Sequence, residues 1–176
     1  MDRAEPYAVC FSGHRPEKLP KGNVLRIILS LLYSEIGDAI ADGADTFYTG
    51  MAQGVDLWAA EMVLSFRQKY PYLRLIGASP YPQFGAGLTG EALYRYQTVL
   101  HAADEVIQVS PHYYKGVFRQ RNQYMVSHSR RLIAIVMDMQ SGTGQTLRMA
   151  KRAGLELRLI TPEQFGTAKG TEEFQL

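Results

Sequence analysis

The stretch "TFYTGMAQGVDLWAAEMVLSF", residues 46–66, contains the strand–loop–helix unit on which the predicted fold is built. Its first four residues form a short apolar run that is bounded by glycine and is typical of a strand. Gly50 and Gly54 follow, and apolar residues then recur at helical spacing. That helical stripe consists of Val55, Ala59, Met62, Val63 and Phe66. One predicted strand therefore passes through a glycine loop directly into one predicted helix.

The same alternation of short apolar runs and helical patterns continues along the whole chain. The predicted strands are Tyr7–Phe11, Thr46–Thr49, Leu73–Ala78, Glu105–Val109, Leu132–Met137 and Glu156–Ile160. The predicted helices lie near residues 22–42, 54–69, 91–102, 116–129 and 144–153. Strands that alternate with helices pair in parallel through right-handed crossovers. We therefore predict an α/β fold: a single Rossmann-like doubly wound domain whose mostly parallel sheet carries helices on both faces.

Length and composition agree with one globular domain. The chain has 176 residues, of which 46% are hydrophobic and 20% are charged. We place the domain at residues 1–166 and expect the tail at 167–176 to be disordered. The longest apolar stretch is about half a membrane span, and the N-terminal residues do not resemble a secretory signal. Because the single cysteine, Cys10, also fits a reducing compartment, we expect a cytoplasmic protein with no membrane partner.

Positive charge is concentrated in the second half of the chain, although the formal net charge is only +2. Between Glu105 and Asp138 there is no acidic residue. The basic residues in the same interval are Lys115, Arg119, Arg121, Arg130 and Arg131. This distribution favours an anionic partner, and a solvated helix face is the alternative interpretation.

The candidate binding residues are those that directly follow the predicted strands, because ligands bind at the carboxyl ends of strands in open α/β sheets. The first strand is followed by Ser12, Gly13, His14 and Arg15. Gly13 permits a tight turn, and the planar guanidinium of Arg15 suits a phosphate group. His14 either hydrogen-bonds a ligand or caps the loop.

The loop after the second strand adds Gly50, Gly54 and Asp56 to the candidate site. Two glycines at a strand–helix junction let a ligand approach the backbone, and the helix N-terminus beyond them attracts anions. The loop lacks the Lys-Ser/Thr pair of a P-loop and the G-x-G-x-x-G pattern of a dinucleotide fingerprint. Asp56 either caps the helix or contacts a ribose hydroxyl.

Two further segments offer contacts to a nucleotide. The loop after the fifth strand opens a helix with Gly142, Thr143, Gly144 and Thr146. Near the start of another helix lie Arg121 and Asn122, and a cation at that position opposes the helix dipole unless an anion compensates. Aromatic residues in the same segment provide stacking surface for a base or belong to the core: Tyr113, Tyr114 and Phe118.

Four motifs, taken in order, resemble those of the SLOG superfamily: "SGHRPEKL" (12–19), "TGMAQGVDLWAAE" (49–61), "RQRNQYMV" (119–126) and "SGTGQT" (141–146). This Rossmann-like superfamily includes DNA-processing protein A and the "lonely guy" phosphoribohydrolases. Within it, the chain looks most similar to the bacterial YpsA-like family. The resemblance implies a domain that binds a nucleotide, a nucleotide-derived molecule or nucleic acid at its glycine loops.

The chain departs from two relatives within that superfamily. Gln123 stands where DNA-processing protein A has the second arginine of its Arg-Asn-Arg motif, and Ala60 stands where that family has histidine. Arg148 stands where the phosphoribohydrolases carry the glutamate that takes part in cleaving the N-glycosidic bond. Loss of that carboxylate removes the negative partner of an oxocarbenium-like transition state, unless Glu61 or Asp138 replaces it.

The sequence therefore favours a sensor or adaptor that binds a nucleotide-derived ligand of the AMP or ADP-ribose type. The alternatives are a nucleoside 5′-monophosphate phosphoribohydrolase and a single-stranded nucleic-acid binding module. No catalytic residue is assigned. No metal is expected, because the four histidines show no ligand cluster. A homodimer is expected because related domains often pair.

Overall fold

The structure is a computed structural model, which describes residues 4–165. All six predicted strands are present in it, and their ends differ from the predicted ends by no more than two residues. The strands are β1 (Ala8–Ser12), β2 (Thr46–Thr49), β3 (Arg74–Ser79), β4 (Glu105–Gln108), β5 (Arg131–Ile135) and β6 (Glu156–Ile160). The helices are α1 (Gly22–Ala41), α2 (Val55–Lys69), α3 (Gly90–Ala102), α4 (Val117–Ser127), α5 (Gly142–Arg152) and α6 (Pro162–Phe165). The predicted tail at 167–176 lies outside the described residues.

The strands form one parallel sheet in the order β4-β3-β2-β1-β5-β6. The chain builds outward from β1 to β4 and then returns to the other side of β1 to add β5 and β6. The prediction of a doubly wound Rossmann-like sheet is therefore confirmed. Because the order reverses between β1 and β5, a ligand crevice is expected at the carboxyl ends of these two strands.

Helices cover both faces of the sheet, and neighbouring side chains of a strand point to opposite faces. On β1, Val9 and Phe11 join the core cluster that includes residues of α1, α2 and α3. Ala8 and Cys10 join the cluster that includes residues of α4 and α5. Cys10 is fully buried, and burial raises the pKa of its thiol to about 12. It is a small core residue, as its place in an apolar strand indicates.

The longest helix, α1, has 20 residues and is amphipathic. It buries Ile28, Leu32 and Ile36 at helical spacing. Throughout the described part of the chain, no helix combines the length and apolar character needed to cross a membrane.

Arg131 ties the opposite, amino-terminal end of the sheet together. Its side chain is buried, and Nη2 donates to Asp42 at 2.7 Å and to Glu156 at 2.8 Å. The guanidinium also lies 5.6 Å from the ring centroid of Tyr7. These carboxylates neutralise Arg131, so this residue does not contribute to the positive field that the charge distribution predicts.

Replacing a central core ring tests this packing. We expect Phe47→Ala to lower the free energy of unfolding by about 3–5 kcal/mol, because Phe47 is fully buried and stacks with Phe11 at 5.9 Å. Chemical denaturation measures the change. Tyr94→Ala is the matched control, since Tyr94 is 71% exposed, and should cost less than about 0.5 kcal/mol. Equal losses in the two variants would contradict the assignment of the core.

Candidate functional site

The loops that follow β1, β2 and β5 meet at the carboxyl edge of the sheet and enclose a cavity of about 220 Å³. We call it the central cavity. Together with α4 and the loop before α3, these loops line it with Phe11, Ser12, Gly13, His14, Arg15, Lys18, Ala52, Asp56, Phe84, Phe118, Arg121, Asn122, Ser141, Gly142 and Thr143. The cavity lies at the reversal in strand order, where the topology places it.

Most of the predicted site residues line this cavity. The predicted residues that are not part of the lining are Gly50, Gly54, Gly144 and Thr146. Thr146 is buried, and its hydroxyl donates to the Gly142 carbonyl at 3.1 Å within α5. That ligands contact any of these residues stays a prediction, but the structure does bring the predicted loops together.

His14 joins the loops that follow β1 and β5. Its Nε2 accepts a hydrogen bond from the backbone N–H of Met137 at 2.9 Å, and its side chain is buried. An imidazole that accepts at Nε2 is neutral and carries its proton on Nδ1. Burial, reinforced by Lys18 and opposed by Asp138, lowers the pKa of His14. His14 therefore links the loop after β1 to the loop after β5.

The glycines after β1 and β2 allow the two loops to pack directly on each other. A Cβ on Gly13 would overlap the side chain of Val55, the first residue of α2. Gly54 has a φ of +88°, and a Cβ there would lie 2.6 Å from the His14 carbonyl oxygen. Contacts within the protein therefore explain why glycine stands at these two positions. The close packing that they allow sets the position of the cavity wall.

Arg121 forms the floor of the central cavity. Only 6% of the residue is exposed, and Nη1 donates to the carbonyl of Gly50. Nε donates to the side-chain oxygen of Asn122 at 2.7 Å. Within residues 4–165, no hydrogen bond engages Nη2. The guanidinium also lies 5.9 Å from the ring centroids of both Phe84 and Phe118.

Asp56 supplies the negative charge next to Arg121. One carboxylate oxygen accepts from the Ala52 N–H at 3.2 Å. A Cβ on Gly50 would lie 2.7 Å from both that oxygen and Arg121 Nη1, so glycine is required for the two groups to lie this close. Burial raises the pKa of Asp56, and Arg121 and the Ala52 N–H oppose this shift. Burial likewise lowers the pKa of Arg121, while Asp56 raises it and Arg15 lowers it further.

The N-terminus of α5 forms the wall opposite α2. Ser141 is its N-cap, and the Ser141 hydroxyl accepts from the Gly144 N–H at 3.2 Å. Gly144 packs against the loop before the helix, and a Cβ there would overlap the Met139 carbonyl. In the described structure, the N–H groups of Gly142 and Thr143 and the hydroxyl of Thr143 have no hydrogen-bond partner. These are the anion-binding groups that a helix N-terminus offers.

The lining carries more positive than negative charge. Arg15, Lys18 and Arg121 are cationic, and Asp56 is the carboxylate among the lining residues. Arg15 and Lys18 are exposed at the rim and have no ion-pair partner in the part of the chain that the structure describes. The cavity is therefore suited to an anionic group.

Several residues that line the central cavity are not among those predicted from the sequence. Ser141 could have been found as a Ser N-cap at the start of a glycine-rich helix. Lys18 lies on the short 3-10 helix Pro16–Lys18 within the same loop as Arg15. Phe84 belongs to the Pro/Gly-rich segment 79–91, whose length and composition suit a lid or specificity loop, although no local pattern assigns this particular ring to the cavity. Among residues 4–165, no group of His, Cys, Asp and Glu is arranged to hold a metal ion.

A wider surface groove of about 680 Å³ lies between the edge strand β4 and α4. Arg119 and Tyr114 line this groove, so these residues lie apart from the central cavity. None of the predicted site residues belongs to its lining. The homodimer that we expect from related domains stays a prediction.

The fold and the cavity define a Rossmann-like α/β protein with a cationic cavity at the switch point of its sheet. The YpsA family model, described as the YspA SLOG family, matches residues 9–164, and the chain belongs to this family. The SLOG resemblance that the four motifs indicate is therefore confirmed.

The chain is also similar to proteins of bacteria. The chain is 29% identical over 130 residues to a UPF0398 protein of Halalkalibacterium halodurans, covering 70% of this chain and 69% of that protein. It is 28% identical over 121 residues to the SPbeta prophage-derived protein YoqJ of Bacillus subtilis, covering 62% of this chain and 71% of that protein.

Solved structures of DNA processing protein A share the fold. The Helicobacter pylori protein, which has a single-stranded DNA binding mode, matches with a TM-score of 0.59 at 19% identity. The Streptococcus pneumoniae protein matches with a TM-score of 0.61 at 16% identity. Each match covers 88% of this chain but only 65% and 50%, respectively, of those longer chains. At these identities the comparison establishes the fold.

The His14–Met137 bond predicts a pH-dependent stability. The folded state favours neutral His14, so the unfolded chain binds more protons between the lowered pKa and its ordinary value of 6.5. We expect the free energy of unfolding to fall as the pH drops below about 6.5 and to level off below the folded-state pKa. Denaturation curves between about pH 5 and pH 8 measure this. His14→Gln should flatten the dependence, whereas His101→Gln, on the exposed face of α3, should leave it unchanged.

The two glycines at the start of α5 provide a matched pair of substitutions. We expect Gly144→Ala to lower the free energy of unfolding by about 1–3 kcal/mol, because the new methyl group overlaps the Met139 carbonyl. Gly142→Ala should be neutral or stabilising by up to about 1 kcal/mol, because no atom lies within 4 Å of its Cβ position. Thermal or chemical unfolding distinguishes them, and a reversed order would refute the described loop packing.

Proposed function

We propose that this protein binds a nucleotide or nucleotide-derived ligand and holds a phosphate group of that ligand in the central cavity. The observation that carries the proposal is Arg121. Arg121 lines the cavity and its Nη2 has no hydrogen-bond partner among residues 4–165, and a phosphate oxygen is the partner that its planar fork fits. A single charged hydrogen bond of this kind contributes roughly 1.5–3 kcal/mol.

The surroundings of Arg121 support the same assignment. Gly142 and Thr143, whose N–H groups are free, line the same cavity at the positive end of the α5 dipole. Arg15 and Lys18 at the rim add charge that Asp56 does not neutralise. Backbone donors, a helix N-terminus and cations thus surround one small space, which is the usual composition of a phosphate site.

Asp56 offers a contact for a ribose next to the phosphate. Its carboxylate lines the cavity, and one of its oxygens is held by the Ala52 N–H. A carboxylate accepts hydrogen bonds from the hydroxyl groups of a sugar, which matches the ribose contact that the sequence leaves open for this residue.

The phosphoribohydrolase alternative has weaker support. Glu61 pairs with Arg95 and does not line the cavity, and Asp138 also lies outside the lining. Arg148, at the position of the missing glutamate, donates to the Met139 carbonyl at 2.9 Å. Incubation with AMP and measurement of free adenine tests hydrolysis directly, and release that is lost in Asp56→Asn would establish it.

A single-stranded nucleic acid is the second candidate partner. The fold is shared with a Helicobacter pylori protein that has a single-stranded DNA binding mode, and the rim cations Arg15 and Lys18 are exposed. Such binding weakens with salt, with a log–log slope of about −0.7 per neutralised phosphate. Titration of an oligonucleotide at several salt concentrations distinguishes this partner from a small ligand, which contacts fewer phosphates.

Arg15→Ala tests the phosphate site without disturbing the core, because Arg15 is exposed and forms no ion pair with the described residues. We expect the variant to unfold at the wild-type temperature but to bind AMP or ADP-ribose about tenfold or more weakly. Thermal shift measures both, since a ligand at a hundredfold excess over Kd stabilises the fold by about 2.7 kcal/mol. Lys151→Ala, at the far end of α5, is the matched control. An unchanged ligand shift in Arg15→Ala would refute the proposal.

A further inference from the structure

A second cavity of about 270 Å³ adjoins the central cavity. We call it the aromatic chamber. It is lined by Arg15, Met51, Ala52, Gln53, Tyr81, Phe84, Gly87, Leu88 and Phe118. Arg15, Ala52, Phe84 and Phe118 line both cavities, so the two spaces share one wall. The two cavities therefore lie side by side, as a ligand that spans both would require.

The shared wall is built from aromatic rings. Phe84 and Phe118 lie 5.9 Å apart, and each lies 5.8–6.4 Å from Tyr81. Arg121 approaches the same two phenylalanine rings from the floor of the central cavity. Ring faces at this position provide an apolar surface for a flat group, next to donors for an anion.

Hydrogen-bonded turns and close packing hold the segment that forms one side of the aromatic chamber. In the segment between β3 and α3, successive turns are closed by bonds from Phe84 N–H to the Tyr81 carbonyl at 3.1 Å and from Leu88 N–H to the Gly85 carbonyl at 3.2 Å. Gly85 packs so closely on the buried ring of Tyr96 that a Cβ would overlap it. The segment is thus anchored on α3.

On the opposite side of the chamber, the loop after β2 adopts an unusual conformation. Met51 has a φ of +63°, which is uncommon for a residue with a long side chain. Its side chain is fully buried, and its sulfur lies 2.6 Å from the position of a Cβ on Gly77. Backbone in this region persists where the surroundings dictate it, and such positions cluster at binding sites.

Gln53 is the polar side chain of that loop in the chamber. It is half-buried, and its carboxamide has no hydrogen-bond partner among residues 4–165. A carboxamide offers one acceptor and two donors, so it can form a paired contact with a group that presents a donor beside an acceptor. Adenine presents this pattern at N6 and N7, and glutamine is a common partner for it.

The volumes of the two cavities indicate which part of a ligand each of them could hold. Sites for small molecules occupy roughly 300–1,000 Å³, so the central cavity at about 220 Å³ is too small for a whole nucleotide. The two cavities together fall within that range. With the phosphate and ribose in the central cavity, as the proposed function has them, the adjoining chamber next to Arg15 is the space left for the rest of the ligand.

We propose that the aromatic chamber binds the base of the nucleotide and that Gln53 selects adenine by pairing with its N6 amino group and N7. The inference rests on the proposed phosphate site. It adds a base subsite and a residue that determines specificity. Phe84 and Phe118 hold the face of the ring, and Gln53 reads its edge.

Calorimetric titration with AMP, IMP and ribose 5-phosphate tests each part separately. IMP has a carbonyl in place of the amino group, so wild-type protein should bind AMP about tenfold more tightly than IMP. Ribose 5-phosphate lacks the base and should bind more weakly than either nucleotide. Gln53→Leu should bind AMP only as tightly as IMP, with its affinity for ribose 5-phosphate unchanged. Gln83→Leu, an exposed residue of the same region that lines neither cavity, should behave as wild type.

The possible failures are distinguishable. If ribose 5-phosphate binds as tightly as AMP, the base subsite is refuted while the phosphate site stands. If wild type binds AMP and IMP equally, or Gln53→Leu keeps the preference for AMP, the role of Gln53 is refuted. If none of the three compounds binds, the proposed function fails, and this inference fails with it. Thermal unfolding of Gln53→Leu verifies that the variant is folded.

Discussion

The reversal of strand order at β1 is the constraint on which the site depends. The chain leaves β1 and β2 toward one face of the sheet and leaves β5 toward the other, so the loops that follow them diverge around a gap. The His14–Met137 hydrogen bond joins the loops on the two sides of that gap. Because α2 and α5 begin on its two sides, both helix N-termini face the same space.

Most of the glycines in these loops permit close packing within the protein. Gly13, Gly50, Gly54 and Gly144 each occupy a position where a methyl group would meet another part of the protein. Only at Gly142, among the predicted site glycines, is the Cβ position open. The glycine pattern therefore marks where loops must pack closely, and a cavity results from that packing. It does not by itself mark which backbone atoms meet a ligand.

Much of the fold could be predicted from the sequence because buried parallel strands are short apolar runs and their helices carry a periodic stripe. The loops could be placed as well, since the topology brings the carboxyl ends of the strands to one edge. The contact between Arg121 and Gly50 could not be predicted, because the residues are 71 positions apart and local pattern does not encode their pairing. For the same reason, the sequence does not assign Phe84 or Gln53 to the cavities that they line, because their positions depend on how two distant loops pack.

The distribution of charge separates the floor of the cavity from its rim. At the floor, Asp56 balances Arg121, so the buried cation is tolerated when no ligand is present. At the rim, Arg15 and Lys18 remain unbalanced and exposed to solvent. Exposed cations steer anions and are screened by salt, whereas a buried donor with fixed geometry discriminates between ligands. Salt should therefore reduce the rate of ligand association more than it changes which ligand is chosen.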